Sequence, residues 1–346
     1  MTTPTIVDAD GHVVESMDEM ARCGWDRPTT GNVFLDMLLN REPFAMERAI
    51  CDGARPFTAE SRVADMDLER IGVSVNYPTA LLLLNQIESV DIANELAHAY
   101  NSWAYETFTE ATGGRVLTMA LVNISDPAAA TAEARRAVTE LGAPGICVPP
   151  FMGARHLDDP SLDPLWAVAE ELDVAIGVHG GRNTTDPVMP GAQIRDQKRY
   201  YALSHPIGQM VALGDVVIGG VLERFPRLRV AFLEAGCGWA RWYVDRLDEA
   251  AEAVENFEPG AELALAPSEY ALGGRCFFTC EPDEPGLTDV IRLLGEDLVL
   301  FASDYPHFDC AFPTSTDDLA THLVDGALLR KVTVDNPRRL YGNRLG

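Results

Sequence analysis

Short apolar runs without polar alternation recur along this chain, at residues 5–9, 73–78, 116–122, 145–148, 174–178, 228–233, 276–280 and 298–302. Runs of this length and composition suit strands buried on both faces. Between them the apolar positions fall three and four apart, which predicts helices over 61–70, 88–109, 127–141, 162–172, 205–225, 239–254 and 287–294, with two more at 315–324 and 326–341. Ser61 is the expected cap of the first, and Trp242, Leu247 and Ala251 are the expected inward face of the sixth. Eight strands, most followed by a helix and none joined by a hairpin signal, imply a parallel sheet, and eight such units close a barrel. The expected fold is therefore an α/β (β/α)8 TIM barrel formed as a single domain over 1–346, with a long insertion at about 16–60 after the first strand and helices at the C-terminus. The segment Leu81, Leu82, Leu83 and Leu84 reads either as a buried turn or as a pocket wall.

Composition narrows the function classes. A hydrophobic content of 47% supplies a core, and no apolar run approaches the roughly 20 residues of a membrane span. A net charge of −26 argues against nucleic acid and anionic membrane surfaces as partners. The seven cysteines form no Cys-x-x-Cys pair and fit reduced thiols, and the first residues resemble no export signal, so a cytoplasmic location is expected. The expected partners are a small-molecule substrate and a second copy of the chain, as a dimer.

The chemistry gathers at the predicted strand ends, which in such a barrel form the active-site face. Asp304 follows the last strand, with His307 three residues on. Asp10 and His12, two apart in an extended strand, share a face, and Glu15 joins them if the chain turns. His179 follows the fifth strand in a Gly-rich turn, Glu234 the sixth and Glu281 the seventh. His205, between Ser204 and Pro206, reads either as a helix cap or as a pocket residue.

The motifs Asp10-x-His12-x-x-Glu15, His179-Gly180-Gly181, Glu234-Ala-Gly-x-Gly-Trp239 and Ser303-Asp304-Tyr-Pro-His307 together resemble the amidohydrolase-related family, in its decarboxylase-like branch. The resemblance covers nearly the whole chain and implies that Asp10, His12, His179 and Asp304 bind a divalent metal. Two departures stand out: the first-strand motif is Asp-x-His-x-x-Glu instead of His-x-His, and Glu234 stands where those decarboxylases often carry histidine. Counting Glu15, Glu234 and His307 beside the core set gives more donors than one ion uses. The only lysines, Lys198 and Lys331, lie far from the fourth strand, so a bridge between two ions would be a carboxylate such as Glu234. Oxygen and imidazole donors without thiolate suit iron or manganese and admit zinc.

The first functional expectation is thus a carboxylate-bridged two-iron monooxygenase that hydroxylates a hydrophobic small molecule, similar to family relatives from diterpenoid antibiotic biosynthesis, with Leu82 and Phe151 lining the pocket. The alternative is a decarboxylase or hydrolase with one zinc or manganese, acting on a small carboxylated aromatic substrate. There Arg182 or Arg195 would clamp the carboxylate, and His205, Glu234 or His307 would move the proton.

Overall fold

The computed structural model describes residues 5–39, 57–153, 155–180, 196–254 and 263–345. Eight parallel strands alternate with eight helices. The strands are β1 (Ile6–Val13), β2 (Ile71–Pro78), β3 (Val116–Thr118, resuming as Ala120–Leu121), β4 (Gly145–Val148), β5 (Ala175–Val178), β6 (Val230–Phe232), β7 (Cys276–Cys280) and β8 (Val299–Phe301). The helices are α1 (Ala59–Leu68), α2 (Val90–Ala104), α3 (Pro127–Glu140), α4 (Asp163–Glu171), α5 (Gln197–Val217), α6 (Gly238–Val254), α7 (Leu287–Leu294) and α8 (Ser315–His322).

Each strand is almost wholly buried, as the absence of alternation requires. β1 pairs with β2 and β2 with the first half of β3; the second half of β3 then pairs with β4, and the ladder runs on through β5, β6 and β7 to β8. The circle closes across β8 and β1, where Asp304 N donates to Asp10 O (2.9 Å) and His12 N donates to Tyr305 O (2.7 Å). This is the expected TIM barrel.

The amino ends of the strands are sealed by the C-terminal helix Asn336–Tyr341. Arg229, just before β6, holds the Leu340 carbonyl at 2.7 Å, and the Tyr341 hydroxyl reaches Ala9 O at 3.2 Å and the Tyr77 hydroxyl at 3.3 Å. Tyr77 crosses the barrel from β2 to β5. A Cβ at Gly177 would lie 2.4 Å from its hydroxyl, so glycine at this point makes room for the ring.

Three local expectations are corrected. Thr58, not Ser61, caps α1; Ser61 is the reciprocal partner, accepting from Thr58 N at 2.9 Å. Trp242 is 59% exposed, because α6 turns Ala240, Val244 and Leu247 inward and a side chain two positions from Ala240 points to the opposite side. The helix after β5 begins at Gln197, capped by Asp196, and carries Pro206 in its interior, so His205 neither opens nor caps it. The insertion after β1 forms two short helices, Met17–Met20 and Val33–Leu39, within its described part.

Candidate metal centre

A β-bulge shapes the first pair of ligand candidates. Asp8 pairs with Ser74 and Gly11 with Asn76, so three steps on β1 match two on β2 and the local direction of the strand changes at Ala9 and Asp10. Asp10 and His12 both end up buried and pointing to one spot, with His12 Nε2 3.8 Å from Asp10 Oδ1. β5 brings His179 to the same place, its Nε2 3.4 Å from Asp10 Oδ1. β8 adds Asp304, whose Oδ1 lies 3.2 Å from His12 Nε2.

The imidazoles are held in one tautomer. His12 Nδ1 donates to Pro78 O (2.9 Å) and His179 Nδ1 donates to Gly180 O (2.8 Å). Each Nε2 therefore faces inward with its lone pair, the arrangement by which a second partner orients a metal-ligating histidine. Both oxygens of Asp10, both of these Nε2 atoms, Asp304 Oδ1 and Glu234 Oε2 are buried without a hydrogen-bond partner. Burying so many acceptors together is unfavourable unless a cation joins them. Oxygen and imidazole nitrogen in this mixture fit a divalent metal of the manganese, iron or zinc type.

Donor atoms lie within 4.8 Å of one another in two groups, Asp10 with His12 and His179, and His12 with Glu234, Asp304 and His307. The groups share His12, whose Nδ1 is committed to Pro78. One remaining lone pair serves one ion, so the overlap is better satisfied by a single coordination sphere than by two of this composition.

Beside this cluster stand Glu234, His205 and His307. Glu234 Oε2 lies 3.5 Å from His179 Nε2 and 3.6 Å from His205 Nδ1, and its Oε1 lies 3.8 Å from His307 Nδ1. His307 Nδ1 approaches Asp304 Oδ1 at 2.8 Å, and its ring centroid lies 3.9 Å from that of His12 with the planes tilted by 31°. Gly180 packs beside His205, where a Cβ would stand in ordinary contact with its Nδ1 at 3.4 Å. Burial, followed by repulsion from Asp304, raises the Glu234 pKa well above the usual carboxylate range in the metal-free site. Burial would raise that of Asp304 too, but His307 and His12 outweigh it and hold Asp304 below its ordinary value. His12 is lowered to about 4 by burial and then by His307, and His205 to about 4 by burial and then by His179. Glu234 and Asp304 both adopt left-handed backbone, at φ 50° and 53°, a conformation uncommon for residues with a Cβ and concentrated at functional sites.

A cavity of about 270 Å³ opens above, walled by Tyr201, His205, Glu234, Glu281, Asp304 and Asp309 among others. Tyr201 donates its hydroxyl to Asp309 across this space. Both were missed in the sequence; the signal for Tyr201 was its position one helical turn before His205, legible only once the start of α5 is known.

Glu15 does not join the cluster. Its carboxylate accepts from Thr79 N (2.9 Å), Ala80 N (3.0 Å) and Leu81 N (2.9 Å), capping the short helix Ala80–Gln86. The turn that was to bring Glu15 to the metal instead carries it to this helix. Leu82 lines a second small cavity, of about 10 Å³, together with Met152 and His179. Phe151 is buried with its ring 6.2 Å from that of His156, and Met152 takes the lining position expected of it. Arg182 and Arg195 lie outside the described residues. Cys237 is buried and donates to Glu284 Oε2 at 3.5 Å, as a packing thiol does.

The family model described as Amidohydrolase matches residues 7–343. The chain belongs to the amidohydrolase family. It is thus an enzyme of the metal-dependent amidohydrolase fold. Among curated relatives, 2-amino-3-carboxymuconate-6-semialdehyde decarboxylase of Dictyostelium discoideum is 29% identical over 174 residues, which cover 50% of this amidohydrolase and 46% of that protein. The match thus spans just under half of the relative's length. Among solved structures, an amidohydrolase from Mycobacterium avium subsp. paratuberculosis superposes with TM-score 0.79 at 20% identity, covering 99% of both chains. A dihydroxybenzoic acid decarboxylase from Polaromonas sp. JS666, solved with manganese and the inhibitor 2-nitroresorcinol, superposes with TM-score 0.71 at 19% identity, covering 98% of this amidohydrolase and 97% of that chain. Among the described residues no helix is long and apolar enough to cross a membrane.

Proposed function

We propose that this amidohydrolase is a metal-dependent decarboxylase of a small aromatic carboxylate, with one manganese or zinc ion held by Asp10, His12, His179 and Asp304. The observation that carries the reading is the convergence of partnerless acceptors from β1, β5 and β8 beneath a cavity of about 270 Å³. The decarboxylase relative and the manganese-bearing structural neighbour support it. They favour the alternative expected from the sequence, and they give no support to two irons or to oxygenation.

When bound, the ion would neutralise the substrate's negative charge and fix its orientation. The chain supplies the rest. Loss of carbon dioxide from an aromatic ring requires a proton at the carbon that carried it, while the C–C bond electrons return to the ring. Glu234 is placed for that delivery: its acid is favoured by burial, it borders the cavity, and His205 beside it, neutral, can relay a proton. The imidazoles of His307 and His12 beside Asp304 keep its carboxylate ionised for the metal.

The test is metal analysis of protein purified without chelators, followed by carbon dioxide release from a panel of hydroxybenzoates after Mn(II) loading. About one ion per chain is expected, with release abolished in His179→Ala and Asp304→Ala. A second reading, the two-iron oxygenase, draws on Glu234 lying within 3.8 Å of His179, His205 and His307. Two irons per chain and oxygen uptake without carbon dioxide release would establish it and defeat decarboxylation.

A further inference from the structure

Below the ligand atoms lies a buried polar knot that contributes no side chain to the donor cluster and meets the cavity only at Ser303. Its centre is Asp8, fully buried on β1. Asp8 Oδ1 accepts from Ser303 N (2.9 Å) and from Asp10 N (3.3 Å). Asp8 Oδ2 accepts from Ser303 Oγ (2.7 Å), Ser74 Oγ (2.8 Å) and Arg62 Nη2 (3.3 Å). Arg62, also fully buried, donates to Ser74 Oγ at 2.9 Å and lies 4.2 Å above the Tyr305 ring, while the Tyr305 hydroxyl donates to Asp65 at 2.6 Å. Ser303 Oγ in turn accepts from Tyr305 N at 3.2 Å.

One carboxylate therefore grips the backbone N–H of Asp10 and the N–H of the residue before Asp304. Both residues flanking Asp304 are fixed, Ser303 by Asp8 and Tyr305 by Ser303 and Asp65, which is what a side chain at φ 53° needs to stay there. The knot also explains Gly11. A Cβ at that position would fall 2.7 Å from Ser74 Oγ, 2.8 Å from Asp8 Oδ2 and 2.9 Å from Arg62 Nη2, so only glycine lets the bulged strand pass the clamp.

We propose that Asp8 is a positioning residue of the metal centre, clamping the β1 and β8 ligand loops to each other with Arg62 as its counter-ion, and that metal affinity depends on it. The proposal rests on Asp10, His12 and Asp304 being ligands. A group with this placement is expected to act as outer-shell partners of metal ligands do, by 10- to 100-fold in affinity.

The experiment measures the dissociation constant of Mn(II), and the line shape of its paramagnetic resonance, in the full chain. Asp8→Asn keeps the size but turns a donor toward Ser303, Ser74 and Arg62; binding should weaken by about 10- to 100-fold with a broadened signal. Ser303→Ala deletes a single hydroxyl and should weaken binding by about 3- to 10-fold, and it decides the matter if Asp8→Asn does not fold. Asn101→Ala serves as the control for stability alone. Asn101 is buried on α2, where its Nδ2 donates to Leu121 O at 2.9 Å and its Oδ1 accepts from Leu121 N at 2.8 Å, so its loss should lower the melting temperature without moving the constant. Unchanged affinity in folded Asp8→Asn, or in Ser303→Ala, overturns the proposal. Asp10→Ala separates it from the site assignment: if that variant still binds Mn(II) as tightly as the wild type, the assignment itself has failed.

Discussion

Glu234 divides the two readings of the site. Glu234→Gln keeps the shape and removes the acid, so proton delivery should suffer: kcat is expected to fall by about 10²–10⁴-fold at an unchanged metal-to-protein ratio near one. A ratio falling from two toward one would instead mark a bridging carboxylate. The histidines give a pH signature in the metal-free protein. His12 and His205 both titrate near 4 when folded, against an ordinary 6.5. Between those values the unfolded chain takes up protons that the folded chain refuses, so each histidine makes stability fall as pH drops through that window, with no further loss below it. His205→Asn should flatten the urea-denaturation curve against pH there relative to the wild type; parallel curves would contradict the assignment. At this scale His179 and Asp304 were legible as candidates because each follows an apolar strand, and Asp10 and His12 because their spacing sets them on one face of β1. Asp8 was not, since an aspartate within a strand declares neither its partners nor its burial.

Elements carry the second kind of error. Glu15 looked like a ligand because sequence spacing shows nearness along the chain but not the helix end that claims a carboxylate. Glu15→Ala leaves three backbone N–H groups of a buried helix start without their acceptor. The expected result is a loss of at least about 2 kcal/mol in unfolding free energy with full metal content retained. A loss of metal at unchanged stability would restore Glu15 to the coordination sphere. α5 was misplaced for a related reason: Pro206 looked like a helix start, yet it sits inside a helix that begins at Gln197 and was hidden behind a polar stretch. α3, α7 and β4 were read nearly residue for residue, because proline, glycine and uniform burial mark their ends plainly.

Over the whole molecule, eight apolar runs were enough for the barrel, while the reaction was not in the pattern; surplus donors suggested two ions, and only their geometry around His12 argues for one. If the substrate is the proposed aromatic carboxylate, the charge of −26 and a cavity wall bearing Glu281, Asp283 and Asp309 will repel it during approach. Added sodium chloride, from about 10 to 200 mM, should therefore raise kcat/KM by a few-fold with little change in kcat. A fall over that range would mean that a positive surface guides the substrate. The sealing of the circle between β8 and β1 also orders events in time. A chain emerging from the ribosome makes β1 long before β8, and until the last strand arrives His12 N and Asp10 O have no partner and Asp304 has not joined the donors. With the proposed ligands, metal capture would therefore belong to the end of synthesis, and the ion arriving then would act as a latch on the one joint that neighbouring segments of the chain cannot make.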